Sequence, residues 1–277
     1  MQELGFIQSE SDPCLFCRGS GEKTLILCIY VDDGYCLGKM AEIKVFLAEL
    51  RKEMNITIEE SMDDYLSCEV KFNKSMTKAW LGQPHLIKKL KQTFGERVAG
   101  MKKYKTPGTP GLSLTRPKQD EPCLSKEKQK DFQSGVGMLL YLVKHSRSEI
   151  NNSVQELTKV MDRANRTHVQ EMLRIIKHVL DTEFLGLRIE PKMMQALLWQ
   201  IILWCDSDWG GDKDNRRSVS GMCIFVCGVL VCWRSKQQKA VALSSSEAEL
   251  VAMSEGVKEI LFILQVLNSM GIPVETP

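Results

Sequence analysis

An α+β fold is predicted for this chain by two kinds of apolar patterning and by the breaks between them. Strand-like runs recur at residues 25–31, 65–72, 199–205, 222–226 and 229–233, while apolar residues at helical spacing recur between them. Pro and Gly clusters punctuate the runs. In order, residues 25–31 read as a buried strand, Asp32-Asp33-Gly34 as a tight turn, and residues 35–38 as the returning strand. Ile43, Phe46, Leu47 and Leu50 then mark a helix, and residues 65–72 alternate as a half-buried strand does. Residues 84–105 form a basic helical segment that Thr106-Pro107-Gly108-Thr109-Pro110-Gly111 must end, because proline lacks the donor and clashes with the preceding turn. A linker follows to about Lys130. Three helices come next, marked by Phe132, Val136, Leu139, Leu140 and Val143, by Val154, Leu157 and Met161, and by Met172, Ile175, Ile176, Val179 and Leu180. Residues 199–205 form a strand running into Asp206-Ser207-Asp208, and a hairpin turns at Cys227-Gly228. The last helix starts at Ser244, with Glu247 completing a capping box and Leu250, Met253, Val257, Ile260, Leu261 and Leu264 supplying one apolar stripe.

The 277 residues can hold two modest domains, and a net charge of +2 leaves no single sign dominant. No secretory signal or membrane-length apolar run is evident, so an intracellular protein, cytoplasmic or nuclear, is expected, with its ten cysteines reduced. Cys14-Leu15-Phe16-Cys17 has the spacing of half a zinc site, but no second pair completes it and packing is the better reading. The thiols of Cys223, Cys227 and Cys232 are expected to be buried on apolar strands. His145, His168 and His178 lack metal-type partners at useful spacing and read as surface or packing residues.

Two acidic groupings carry the chemistry. Asp32 and Asp33 stand side by side at a hairpin tip, an arrangement that is costly unless a cation neutralises it and that suits a magnesium site facing phosphate. An ordinary Asp-rich turn is the bland alternative. Asp206 and Asp208 face one side of a strand by its period of two. Glu249 lies in the first turn of the last helix, off the apolar stripe. Charge complementarity at a helix start could explain a glutamate there, but Glu247 already supplies it. Lys88, Lys89, Lys91, Lys102 and Lys103 make a phosphate-facing surface or a solvated helix face. Glu59, Glu60, Asp63, Asp64 and Glu69 form its acidic counterpart. Arg216, Arg217 and Lys236 are further candidate nucleic-acid contacts.

These pieces, in this order, resemble the end of the polyprotein of copia-type LTR retrotransposons (Pseudoviridae). The resemblance is carried by Gly5-Phe6, Ser11-Asp12-Pro13-Cys14-Leu15-Phe16, Tyr30-Val31-Asp32-Asp33, Gln83-Pro84-His85-Leu86-Ile87 and Lys105-Thr106-Pro107. It continues through residues 136–142, Asp206-Ser207-Asp208-Trp209-Gly210-Gly211-Asp212, Arg217-Ser218-Val219-Ser220-Gly221, Trp233-Arg234-Ser235-Lys236-Gln237 and residues 241–249. It covers essentially the whole chain, with the last three blocks the most specific. The resemblance implies a partial reverse-transcriptase palm (1–78), a thumb-like basic segment (79–105), a linker (106–130), a helical connection (131–197) and an incomplete ribonuclease H-like mixed sheet with its helix (198–277). It implies Mg2+ at Asp32 and Asp33 and at Asp206 and Glu249, with an RNA/DNA hybrid or duplex as partner and a related polymerase subunit as a second partner. Where the family usually reads Phe-Leu-Gly-Ile-Glu-Ile, Ser67 replaces the glycine, and Arg147-Ser148-Glu149 stands where Arg-Pro-Asp is usual.

A polymerase of this family needs another palm aspartate upstream, and its nuclease needs further carboxylates after the helix carrying Glu249. Glu275 comes too early to be one of them, so each metal set is expected to be short of ligands and catalysis weak. Missing flanking strands are expected to leave the strand of Asp206 as an unpaired apolar edge. Three readings stay open: a catalytically incomplete polymerase and ribonuclease H fragment, an enzyme completed by a partner or further sequence, and a nucleic-acid-binding module without catalysis.

Overall fold

The computed structural model describes residues 1–59, 66–192 and 198–275, which combine helices with antiparallel sheets in an α+β arrangement. They fall into two compact units, one from Met1–Ser61, Lys192–Ile202 and Val257–Pro277, the other from Met62–Pro191 and Leu203–Gly256. Glu60, Asp63, Asp64 and Tyr65, expected in an acidic stretch and at a strand start, lie outside the described residues.

In the first unit β1 (Ile7–Gln8), β2 (Leu15–Arg18), β3 (Leu25–Tyr30) and β4 (Asp33–Gly38) form one sheet in that order, antiparallel throughout. Helix α1 (Met40–Glu53) buries Phe46 and Leu50 with Leu25, Leu27 and Phe6, so the spacing at 43–50 finds its helix. Each such side chain, fully buried, stabilises by about 1.5–3 kcal/mol. Beyond the sequence expectation, the Arg18 guanidinium lies over the Phe6 and Phe46 rings and donates to Glu49 at 2.6 Å. Trp199 forms a parallel bridge with Val274, donating to Pro273 O at 3.0 Å and accepting from Glu275 N at 2.8 Å.

The second unit opens with β5 (Glu69–Phe72), which pairs with β6 (Ala79–Gly82), and β6 pairs in turn with β7 (Leu187–Ile189) in an antiparallel sheet that periodicity did not reveal beyond β5. A Cβ on Gly82 would sit 1.9 Å from the Trp80 ring, so that indole fills the place of a side chain. Ser67, where the resemblance leads to the expectation of glycine, adopts φ +60, and Leu66 before it φ +52. Glycine is the residue that enters this region without steric cost.

Helices α2 (Pro84–Val98), α3 (Lys126–His145), α4 (Asn151–Thr158) and α5 (Arg166–Asp181) share one core around Leu90, Phe94, Phe132, Leu139, Leu157, Met172 and Ile176. The basic helix ends at Val98, seven residues before the expected limit, and α3 begins at Lys126, inside the expected linker, where Ser125 caps it. His168 and His178 are buried, and His168 completes a capping box with Asn165. Arg147, fully buried, donates to Glu149 Oε1 at 2.6 Å and to Thr182 Oγ1 at 2.7 Å.

Strands β8 (Ile201–Asp208), β9 (Val219–Val226) and β10 (Val229–Gln237) are hydrogen-bonded in the order β10-β9-β8. Cys227 and Gly228 turn the β9–β10 hairpin at φ +50 and +79, as a two-residue turn of the twisted type requires. Cys227 is therefore a buried turn residue, whereas Cys223 and Cys232 are only half-buried, a correction to the expectation of three buried strand thiols. β8 is not wholly unpaired, since β9 covers one edge.

Helix α6 (Ser245–Ser269) is capped by Ser244, whose Oγ accepts from Glu247 N at 3.2 Å. The Glu247 carboxylate accepts from Leu243 N at 2.7 Å, one residue earlier than a regular capping box predicts. The apolar stripe is overturned: Leu250, Met253, Val257 and Leu261 are exposed, and the buried face is Ala248, Ala252, Gly256 and Leu267. The helix lies so close to β8 that a Cβ on Gly256 would come within 2.6 Å of Leu203 Cδ2. Only small residues fit that approach, so hydrophobicity pointed to the wrong face. Among the described residues no helix is long and apolar enough to cross a membrane.

Candidate active site

The hairpin of β3 and β4 pairs Tyr30 directly with Asp33, leaving Val31 and Asp32 as its two turn residues. The expected turn at Asp32-Asp33-Gly34 is thus displaced: Asp32 lies in the turn, and Asp33 opens the returning strand. Both carboxylates are exposed, and neither forms a hydrogen bond or ion pair among the described residues. Val31, 82% exposed, holds φ +55, a conformation that costs an L-residue about 1–2 kcal/mol. Its β-branch gains no packing in return. Val31→Gly is accordingly expected to stabilise the chain by about 1 kcal/mol in thermal unfolding; an unchanged or lower midpoint would show the turn to be unstrained.

The second grouping is built on β8 and α6. Along β8, Ile202, Trp204, Asp206 and Asp208 are exposed, while Leu203, Cys205 and Ser207 alternate inward. Glu249, the fifth residue of α6 and thus in its second turn rather than the first turn expected, accepts from the backbone N–H of Ser207 at 3.3 Å, which sets its carboxylate beside the residue following Asp206. Asp208 is differently committed. Its Oδ1 accepts from Gly211 N at 2.9 Å, and a Cβ on Gly211 would fall 1.9 Å from its Oδ2, so Asp208 shapes the turn that leaves β8.

That turn is held from below. Asp212, almost fully buried, accepts from Asp214 N and Asn215 N at 3.0 and 3.1 Å and pairs with Lys159 Nζ at 2.9 Å, while Lys159 also meets Glu156 at 2.6 Å. Gly210 N donates to Ser218 Oγ at 3.0 Å and Trp209 Nε1 to Ala242 O at 3.0 Å. Gln238, also buried, donates from Nε2 to Ser207, Ser220 and Ala248. Sequence reasoning missed Lys159 and Gln238. Apart from the i,i+3 pair of Lys159 with Glu156, these partnerships join residues ten or more positions apart, and no local pattern signals them.

Among the described residues no group of three or more His, Cys, Asp or Glu side chains is set to hold a metal ion. The oxygens of Asp206 and Glu249 are the ligand type that hard divalent cations take. The basic candidates are distributed more widely. Lys88, Lys89 and Lys91 are exposed on α2, opposite its buried Ile87, Leu90, Phe94 and Val98, and their ammonium groups form no ion pair or hydrogen bond among the described residues. Lys102 and Lys103 are exposed beyond the helix, and the Lys102 ammonium lies over the Tyr104 ring. Arg216, at φ +58, and Lys236 are exposed, with Arg217 half-buried between the Asp212 turn and β9.

With this geometry in place, comparison with known proteins is informative. The chain is 27% identical to the retrovirus-related Pol polyprotein from transposon TNT 1-94 of Nicotiana tabacum over 98% of its own length and 20% of the relative's. It is 27% identical to the corresponding polyprotein from transposon RE1 of Arabidopsis thaliana over 99% of its length and 18% of the relative's. A third similarity, 33% identity over 132 residues, covers 48% of this chain and 90% of the secreted RxLR effector protein 161 of Plasmopara viticola. The chain thus spans about a fifth of the length of the two polyproteins. No family profile matches it, and no solved structure does.

Proposed function

We propose that this chain, 27% identical over nearly its whole length to retrovirus-related Pol polyproteins of copia-type transposons, is a segment of an RNA-directed DNA polymerase and ribonuclease H whose two acidic groupings, each of two carboxylates among the described residues, are too sparse for full catalysis. One observation supports the reading: the Glu249 carboxylate accepts from the Ser207 N–H, which anchors it to the main chain one residue from the exposed Asp206. Asp206 and Glu249 would hold Mg2+, which when bound would activate water and stabilise the leaving oxygen as the RNA strand of a hybrid is cut. Asp32 and Asp33, exposed and unpaired at their hairpin, would hold Mg2+ against nucleotide phosphate. On this reading the first unit's hairpin belongs to the palm, α2 to the thumb, α3 to α5 to the connection, and β8 to α6 to the nuclease.

Two carboxylates in each place fix a metal loosely, and displacement of misplaced groups by about 1 Å can cost roughly 100-fold in rate. The chain alone is therefore expected to bind a labelled RNA/DNA hybrid with Mg2+ present and to cut it negligibly. Rapid Mg2+-dependent cutting that disappears in Asp206→Asn would overturn incompleteness and favour a working nuclease.

The unpartnered lysines of α2 favour a second element of function, sequence-independent binding of a nucleic-acid backbone. Replacing Lys88, Lys89 and Lys91 with Gln is expected to weaken duplex binding and to flatten the dependence of log affinity on log salt by about 0.9 per lost phosphate contact. An unchanged salt slope in a fluorescence-anisotropy titration would remove α2 from the interface.

A further inference from the structure

Gln238 follows β10 and is 7% exposed, yet its side chain reaches three separate elements. Nε2 donates to Ala248 O of α6 at 2.9 Å, to Ser220 Oγ of β9 at 2.9 Å and to Ser207 Oγ of β8 at 3.2 Å, while its backbone N–H donates to Ser218 O at 2.8 Å. A carbonyl can only accept, so the bond to Ala248 fixes which end of the amide is nitrogen. Nε2 has two hydrogens for three acceptors, and the longest contact, to Ser207, shares them.

The identity of these partners matters. Ser207 follows Asp206 in the chain, and Ala248 precedes Glu249. One carboxamide therefore touches the neighbours of both acids, from inside the layer between helix and sheet. Elsewhere in that layer Ala248 and Ala252 offer few interlocking atoms, and the Leu203 side chain seated against Gly256 holds the helix about two turns beyond Glu249, so at the Glu249 end the carboxamide ties α6 to the sheet. A shift of about 1 Å at that end would break the 3.3 Å bond between Glu249 and the Ser207 N–H.

We propose that Gln238 is a positioning residue that sets the placement of Glu249 relative to Asp206, through its bonds to Ala248 and Ser207. The inference rests on the reading of those two acids as a metal pair, and it names the group that holds the pair in register. Residues supporting metal ligands from behind are typically worth about 10–100-fold in metal affinity.

The test uses the full chain with Gln238→Met, which keeps volume and removes the donors, beside Ser220→Ala, which removes only the β9 acceptor. Backbone hydrogen exchange at Ser207 reports the bond to Glu249 without any metal, and Mn2+ titration followed by electron paramagnetic resonance reports the pair. In Gln238→Met the Ser207 amide is expected to exchange at least about tenfold faster, with Ile224 of β9 unchanged, and Mn2+ affinity to fall about tenfold or more. Ser220→Ala is expected to leave both near wild type. If Gln238→Met does not fold, Gln238→Asn, too short to span the same partners, carries the same expectation.

Unchanged Ser207 exchange in the folded variant, or equal losses in Ser220→Ala, would overturn the positioning role. Failure of the metal reading looks different: wild type and Asp206→Asn would then take up Mn2+ equally, while Ser207 exchange still decides for or against Gln238.

Discussion

Lys159→Met is expected to destabilise the second unit by about 3–5 kcal/mol, the range for removing one partner of a buried ion pair. Lys159 Nζ lies 2.6 Å from Glu156 and 2.9 Å from Asp212, and the three side chains are 16%, 15% and 4% exposed. Asp212 keeps its two turn N–H donors in the variant but loses the one full positive charge paired with it among the described residues. Urea unfolding followed by Trp233, whose indole donates to Val143 O in the helical core, would measure the loss. Adding Asp212→Asn to Lys159→Met should recover part of it, because the uncompensated charge is then gone.

The pH dependence provides an independent check. Burial pushes the Asp212 carboxyl up, but the Lys159 bond, the Asn215 and Asp214 N–H groups and the lysine charge outweigh it and hold it below the ordinary value. For Lys159 burial acts downward, and bonds and charge from Glu156 and Asp212 leave it raised overall. A depressed acid contributes stability that is present above its unfolded value, about 3.9, and is lost as pH falls through the folded one. A raised lysine contributes below about 10.4 and loses it as pH rises through its folded value. The triad is thus expected to be at full strength between those limits. In Lys159→Met the acid side should invert: burial without the cation favours the protonated Asp212, so acidification toward pH 4 relieves the variant while it begins to weaken wild type. Parallel pH profiles for the two proteins would show that the ion triad contributes no linkage.

Asp206→Asn and Glu249→Gln are each expected to lower Mn2+ affinity by at least about 100-fold, beyond the 10–100-fold range for groups that only support a ligand. The double variant should be little worse than either single one, because two groups that close on one ion act as a unit. Asp208→Asn is the control. Its carboxylate is engaged with Gly211 N in the turn, so the change should lower stability and leave Mn2+ affinity near wild type. Equal affinities in wild type and Asp206→Asn would end the assignment of this pair, and an Asp208 effect as large as that of Asp206 would relocate it.

Much of the local structure was legible because local rules govern it. The β9–β10 turn follows from Cys227-Gly228, the start of α6 from Ser244, and α3 to α5 from apolar residues that one core buries together. Asp206 and Glu249 were legible as types and positions, whereas the bond from the Ser207 N–H to Glu249 follows from no local pattern. Where two rules competed, reading was less secure. An Asp-Asp-Gly turn looked favourable, yet the Tyr30–Asp33 pairing places Val31 in the turn despite its β-branch.

By itself the sequence determined helices α1 to α6, the strands of the Asp32–Asp33 hairpin and of the β8–β10 sheet, the Ser244 cap, the Cys227-Gly228 turn and which residues carry charge, since each depends on neighbours within a few positions. Tertiary structure alone decided which face of α6 is buried, that Arg147 and Asp212 lie inside with Lys159 partly buried against Asp212, and that Gln238 spans three elements. The reason is close packing: Leu203 admits only small residues on α6, and a buried charge or amide is tolerated only where distant parts of the chain bring its partners within hydrogen-bond reach.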